Sequence, residues 1–384
     1  MLGWRFLISS ETFRCVPFGR RMQKNSALGA TNYLNGITSN YTYDQLYELT
    51  QVAQGASTTE SYSYDPVGNR LSSFGVPTYS YNVSNELTSN STGSYAYDNN
   101  GNTLADASGK SYTWDFENRL VQAVVPGTSG GTTTFKYDPF GRRVQKSGPL
   151  GTTNYLYVGK NSLEEVDNSG NVLAKYTQTL SFDDPLAELR SGTTTFYQVD
   201  GTKSITSLSD TASTIAGTYA YDAFGNLSSS TGFLTNPFRY TGREFDEETG
   251  LYYYRTRYYD SGIGRFASED SIRFKGGINF YPYVRNRPVT FGDPMGTCLW
   301  QFDSVTATLG QCGKDPDKDR QCACLCQVSP EYAGCVKDCK DGCLSGKFNL
   351  VEMCQCGCDQ RHKSGELNAF ETWACKQFCK LGGK

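Results

Sequence analysis

FKYDPFGRRVQ, from Phe135 to Gln145, decides the fold. It recurs as YSYDPVGNRLSS from Tyr62, YSYNVSNELTS from Tyr79, YAYDNNGNTLA from Tyr95, YTWDFENRLVQ from Tyr112 and YAYDAFGNLSS from Tyr219. The common form is aromatic-x-Tyr-Asp-x-x-Gly-Asn/Arg-x-Leu, from which four of the six units depart at one or more positions. The aromatic-x-aromatic start puts two rings on one face of a strand. The Asp-x-x-Gly that follows is a turn, because Asp bonds to backbone two residues on and Gly accepts positive φ. The last residues begin a return strand. A unit is therefore a hairpin that cannot bury its apolar face alone, so neighbours must stack. A spiralling antiparallel sheet is expected.

A longer match supports the repeat reading. VPFGRRMQKNSALGATNYL (Val16 to Leu34) aligns without gaps to DPFGRRVQKSGPLGTTNYL (Asp138 to Leu156), with 13 identities in 19 positions. Composition agrees: 40 Gly serve turns and 27 Tyr fill half-buried strand positions. With 384 residues and a formal charge of −3, the chain has no global basic bias towards nucleic acid. The repeated Asp reads as a turn former rather than a calcium ligand, since calcium repeats carry several oxygen ligands per turn. The pairs Arg20/Arg21 and Arg142/Arg143 read as solvated strand residues.

No stretch of about 18 apolar residues exists to span a membrane, and MLGWRFLISS, with Arg5 inside a short apolar run, does not read as a signal peptide. That reading alone suggests cytoplasmic residence. Met1 stands just ahead of a mid-repeat sequence, however, as expected of a chain beginning inside a longer protein.

Residues 240–296 differ from the repeats. Tyr252, Tyr253, Tyr254, Tyr258 and Tyr259 alternate with Arg255 and Arg257. In a strand this pattern packs rings on one face and lets Arg snorkel at the other, which is favoured over base stacking. Asp270 in GRFASEDSI and Asp293 in FGDPMG stand 23 residues apart. Brought together, two carboxylates cannot both ionise; one keeps a proton while the other can activate water. Spacing alone does not bring them together.

After residue 296 the composition changes. Thirteen of the 14 cysteines fall in the last 88 residues. CACLC followed by CVKDCKDGC, then CQCGC followed by CKQFC, repeat a CxCxC…CxxxC pattern. A CxC strand and a CxxxC helix present matching pairs at disulfide distance. The disulfide candidates are Cys322, Cys324, Cys326, Cys335, Cys339, Cys343, Cys354, Cys356, Cys358, Cys375 and Cys379. A soft metal such as zinc, held by Cys322, Cys324, Cys326, Cys354, Cys356 and Cys358, is the alternative; no other cofactor is expected. His362 is the chain's single histidine, which argues against two-histidine ribonucleases and HNH nucleases. A non-enzymatic effector or binding segment is expected there.

The repeats, FYQVDGTKSITSLSDTAS and RYTGREFDEETGLYYYRTRYYDSGIGRF together resemble the YD-repeat or Rhs family, over residues 16–296. That family includes bacterial polymorphic toxins, cocoon subunits of insecticidal toxin complexes and the teneurin shell. The resemblance implies a hollow β-shell closed by a core segment and enclosing a variable C-terminal polypeptide. It also implies an aspartic autoprotease cutting after a DPxG motif. Asp270 and Asp293 would be its catalytic pair, Arg257 or Arg265 its orienting charge, and Gly296–Thr297 its scissile bond. Ser271 stands where the family usually has proline, and Thr297 where a bulky apolar residue is common.

The expected fold class is mainly β: a partial β-shell of YD hairpins with a small disulfide-rich α+β C-terminal domain. The expected division is 1–239 repeats, an N-terminally shortened shell; 240–296 core block; and 297–384 cysteine-rich domain. The expected function is a carrier that encloses, and can release by self-cleavage, its own C-terminal tail. Its partners would be upstream shell or delivery-system components and a cognate immunity protein, and its location secreted or at the cell surface. The alternative is a secreted or cell-surface adhesive protein with no cleavage and no toxicity.

Overall fold

The computed structural model describes residues 28–32, 37–179, 184–297 and 300–301. The repeats close in a common way. In the unit quoted first, Asp138 Oδ1 accepts the backbone N–H groups of Phe140 and Arg142, both at 2.9 Å. The Gly141 N–H donates to the Asp138 carbonyl at 3.0 Å, and the Asp138 N–H donates to the Arg142 carbonyl at 2.9 Å. One carboxylate thus pairs two backbone donors of the turn. Asp65, Asp98, Asp115, Asp167 and Asp222 repeat the arrangement. The aspartate is a turn former, as its spacing suggests. The glycine position needs positive φ, and Asn85 and Asn118 supply it at 62° and 59° where glycine is missing.

The ring ahead of the turn reaches the other way. Tyr64, Tyr81 and Tyr137 donate to the carbonyls of Leu49, Arg70 and Leu120 at 2.9, 2.8 and 2.7 Å. Trp114 Nε1 does the same to Thr103 at 2.7 Å. Within each pair, the aspartate closes its own hairpin and the aromatic residue ties it to the preceding one. The strand register also slips at this ring, between Ser63 and Tyr64, Ser80 and Tyr81, Lys136 and Tyr137, and Ala220 and Tyr221. Such bulges bend and twist a sheet, and here they recur once per repeat.

Strands pair antiparallel with their sequence neighbours in a five-stranded sheet from Leu28–Asn32 to Arg70–Ser73, a three-stranded sheet from Tyr79–Tyr81 to Gly93–Ser94, and a fourteen-stranded sheet from Ala96–Tyr97 to Leu227–Thr231. The core block adds a four-stranded meander: Glu244–Asp246, Leu251–Tyr254, Arg257–Asp260 and Arg265–Phe266. Period-2 alternation splits its rings between two faces. Tyr253 and Tyr258 pack with Tyr112, Leu120 and Phe135 of the long sheet. Tyr252, Tyr254 and Tyr259 pack with Tyr240, Phe266 and Tyr283.

Three expectations need correction. The core block does not leave one face to snorkelling arginines: Leu251–Tyr254 is buried throughout, and Arg257 is 5% exposed. Arg143 is not solvated; it is fully buried, with Nη1 on Asp246 Oδ2 at 2.5 Å and Nη2 on Glu244 Oε2 at 2.7 Å. Finally, the fold class is mainly β without an α+β, disulfide-rich part: among the described residues the only helical turns are 3₁₀ and no disulfide occurs. The local reason is that Asp- and Gly-closed hairpins leave no uninterrupted helical run in these residues. The candidate cysteines from Cys322 to Cys379, on which that expectation rested, lie outside the described residues.

Candidate functional site

Arg257 opens the third strand of the core meander, directly after a two-residue turn in which Tyr254 pairs with Arg257. Its guanidinium lies flat on the Phe266 ring, 3.5 Å from the centroid. That stacking orients its donors. Nη1 donates to the Phe280 carbonyl at 2.9 Å. Nη2 donates to Asp270 Oδ2 and to Asp293 Oδ2, each at 3.2 Å. One nitrogen thus bridges the two carboxylates that stand 23 residues apart in the chain. Nε donates to the Gly296 carbonyl at 2.5 Å.

Local turns hold each carboxylate in place. Asp270 Oδ1 accepts the Ile272 N–H at 3.0 Å, and its own N–H donates to the Phe280 carbonyl at 3.2 Å. Asp293 Oδ1 accepts the Thr297 N–H at 2.9 Å, and the Gly296 N–H donates to the Asp293 carbonyl at 3.3 Å. Asp270 is 8% exposed and Asp293 4%. Burial pushes the Asp270 carboxyl up from its ordinary range, and the Asp293 charge adds to this against the opposing pull of Arg257.

The bond between Gly296 and Thr297 is therefore flanked on both sides. Its carbonyl oxygen takes Arg257 Nε and the Thr256 hydroxyl, the latter at 3.1 Å. Its amide N–H sits on Asp293. Gly296 has φ +71°, and a Cβ there would lie 2.5 Å from the Tyr254 carbonyl oxygen. Only glycine admits this approach. Arg243, 3% exposed, donates from Nη1 to the Pro294 carbonyl at 2.7 Å and so anchors the DPMG loop from the other side. Asp270, Asp293, Arg257 and Thr297 line a cleft of about 550 Å³ that also includes Glu48, Phe280 and Arg285.

Arg265 goes elsewhere. Its guanidinium sits over Tyr81 and Tyr281, with Nη1 on Asn69 Oδ1 at 3.0 Å and Nη2 on the Asn85 carbonyl. It ties the core block to the early repeats. Of the two arginines singled out from sequence, Arg257 is the one that bridges the carboxylates. Thr256, Phe266 and Phe280 escaped the sequence reading; adjacency to Arg257 was the one signal that could have pointed to Thr256. The cysteines named as metal alternatives lie outside the described residues.

Repeated hairpins closed by aspartate, capped by a tyrosine-rich meander, define a YD-repeat shell protein with a core closure. The family description "Teneurin YD-shell" matches residues 26–289, and the chain belongs to that family. It is 36% identical over 274 residues to the tRNA nuclease WapA of Bacillus subtilis (strain 168), covering 67% of this chain and 12% of that protein. It is 35% identical over 279 residues to the tRNA3(Ser)-specific nuclease WapA of Bacillus spizizenii, again covering 67% of this chain and 12% of that protein. The chain thus spans a small part of the length of these curated relatives. A solved TcdB2-TccC3-Cdc42 structure aligns with TM-score 0.49 and 19% identity, over 71% of this chain and 18% of the other.

Proposed function

We propose that this chain is the closing part of a bacterial YD-shell toxin carrier, and that its core block cuts the peptide bond between Gly296 and Thr297. The observation that carries the reading is the single Arg257 guanidinium, which bridges Asp270 and Asp293 while its Nε holds the Gly296 carbonyl. Similarity to bacterial tRNA nucleases supports the carrier role, with the polypeptide after Gly296 as cargo. Upstream shell or delivery components, a cognate immunity protein, and a secreted or cell-surface location belong to the same proposal.

The chemistry follows from the contacts. Asp270, raised by burial, holds the proton that the pair shares. Asp293, ionised and in reach of the Thr297 nitrogen, takes a proton from water as the water oxygen attacks the Gly296 carbonyl carbon. Arg257 Nε stabilises the negative charge that develops on the carbonyl oxygen. Asp293 then passes the proton to the Thr297 nitrogen as the C–N bond breaks. The products are a Gly296 carboxylic acid, which releases its proton to solvent, and a Thr297 amine.

Intact-mass analysis of the expressed chain tests this. The expected result is two species separated at Gly296/Thr297 in the wild type and one uncut species of 42.4 kDa for Asp270→Asn and for Asp293→Asn. A wild-type chain that stays whole overturns the reading, as does cutting that persists in either variant.

A further inference from the structure

Resting on that self-cleavage reading, we propose that Thr256 is a catalytic residue: its hydroxyl is the second oxyanion donor, recruited as charge develops on the Gly296 carbonyl. Thr256 Oγ1 lies 2.8 Å from the Met295 carbonyl oxygen and 3.1 Å from the Gly296 carbonyl oxygen. A hydroxyl has one proton, so it serves one of these acceptors at a time. In the uncut chain the shorter contact goes to Met295. When the Gly296 oxygen takes up negative charge it becomes the stronger acceptor, and the proton turns to it. An interaction that strengthens only as the tetrahedral intermediate forms lowers the barrier rather than merely binding the loop.

The backbone is arranged for this exchange. The Thr256 N–H, which donates to the Tyr254 carbonyl at 2.7 Å, also lies 3.4 Å from the Met295 carbonyl, so that oxygen keeps a shared donor when the hydroxyl turns away. Arg255 occupies the left-handed region at φ 62°, which makes the two-residue turn tight enough to present residues 256 and 257 consecutively to the same loop. Two neighbouring residues therefore supply two donors to one oxygen: Thr256 Oγ1 and Arg257 Nε. A Cβ on Gly296 would come within 2.9 Å of the threonine hydroxyl, so the missing side chain is what lets the carbonyl reach it.

The test is a pulse–chase of the full chain in cell-free translation, following appearance of the cut product for wild type, Thr256→Val, Thr256→Ser and Asp270→Asn. Thr256→Val keeps the shape and removes the proton. It is expected to slow cutting by about 100-fold, the order found when one oxyanion donor is lost. Thr256→Ser is expected to restore cutting to within a few-fold of wild type, which a purely steric role would not produce. Thermal unfolding of the Asp270→Asn chain with and without Thr256→Val reports whether the fold survives, and equal midpoints are expected. Cutting of Thr256→Val at the wild-type rate overturns this inference while leaving the Asp270/Asp293 reading intact, as does Thr256→Ser as slow as Thr256→Val. An uncut wild type, or a cut Asp270→Asn, overturns both.

Discussion

Arg142 and Arg143 are neighbours in the chain with opposite fates. Arg142 reaches its own turn aspartate, Asp138, with its side chain 32% exposed. Arg143 is buried among Phe135, Tyr155 and Tyr253 and neutralises Glu244 and Asp246. Lys146 stays beside Asp246 and Arg255 beside Glu244, yet breaking a buried ion pair costs up to about 3–5 kcal/mol, whereas an exposed pair is worth about 1 kcal/mol or less. Urea unfolding should therefore show Arg143→Met losing several kcal/mol and Arg142→Ala little; equal losses would contradict the assignment. Glu60 supplies a pH test. Burial, with Asp222 adding, raises its carboxyl from 4.5 to about 7, against hydrogen bonds from Tyr62 and Ala223 and the Arg70 charge. Glu48 is likewise raised to about 7, chiefly by burial. A raised folded-state value means the protonated form is favoured by folding. The associated stability is complete below the unfolded value, 4.5, and is lost as pH rises through about 7. The unfolding midpoint should fall over that window, and Glu60→Gln should flatten the fall; an unchanged slope would remove Glu60 from the account.

At the scale of the hairpin, one turn design serves two environments. Gly141 and Gly225 hold the same place in their repeats, with φ +78° and +93°. A Cβ on Gly141 meets nothing within 4 Å, while one on Gly225 would lie 2.5 Å from the Tyr240 ring. Gly141→Ala should cost only left-handed strain, about 1–2 kcal/mol. Gly225→Ala adds overpacking against a buried ring, about 1–3 kcal/mol more. Denaturation midpoints of the two variants check this, and a Gly141 variant as unstable as the Gly225 one would refute it. The residue before the glycine shows the same divergence: Phe140 is 85% exposed, and Phe224 is 1% exposed against Tyr62 and Arg70.

For the whole described unit, the segment that follows the last repeat strand, core block included, covers much of the repeat sheets. Tyr112, Leu120 and Phe135 find Leu251, Tyr253 and Tyr258; Tyr176 and Tyr197 find Phe238; Leu49 and Val52 find Phe224 at the turn that precedes it. A chain ending after Thr231 would keep the last repeat strand but expose the first two of these clusters. It should bind a hydrophobic dye and aggregate, and a soluble monomer with the parent's near-ultraviolet spectrum would show that the sheets close without the block.

Much of this was written locally. Asp138, Gly141 and the residues between them define a turn because every bond that closes it spans four residues or fewer, so the repeat could be read directly. The alternation of Tyr252, Tyr253 and Tyr254 likewise set two opposite faces. It did not say that both faces are covered, because that needs partners more than 100 residues away. Arg142 and Arg143 point to opposite sides by period alone; which side is interior depends on where Glu244 and Asp246 arrive. The carboxylates Asp270 and Asp293 were legible as candidates through resemblance, while their sharing of Arg257, the diversion of Arg265 to Asn69 and the approach of Thr256 to the Gly296 carbonyl were not. Turn chemistry is a property of a few consecutive residues and is carried by the sequence itself. The assembly of a site from separate turns is a property of their packing, and only the tertiary structure decides it.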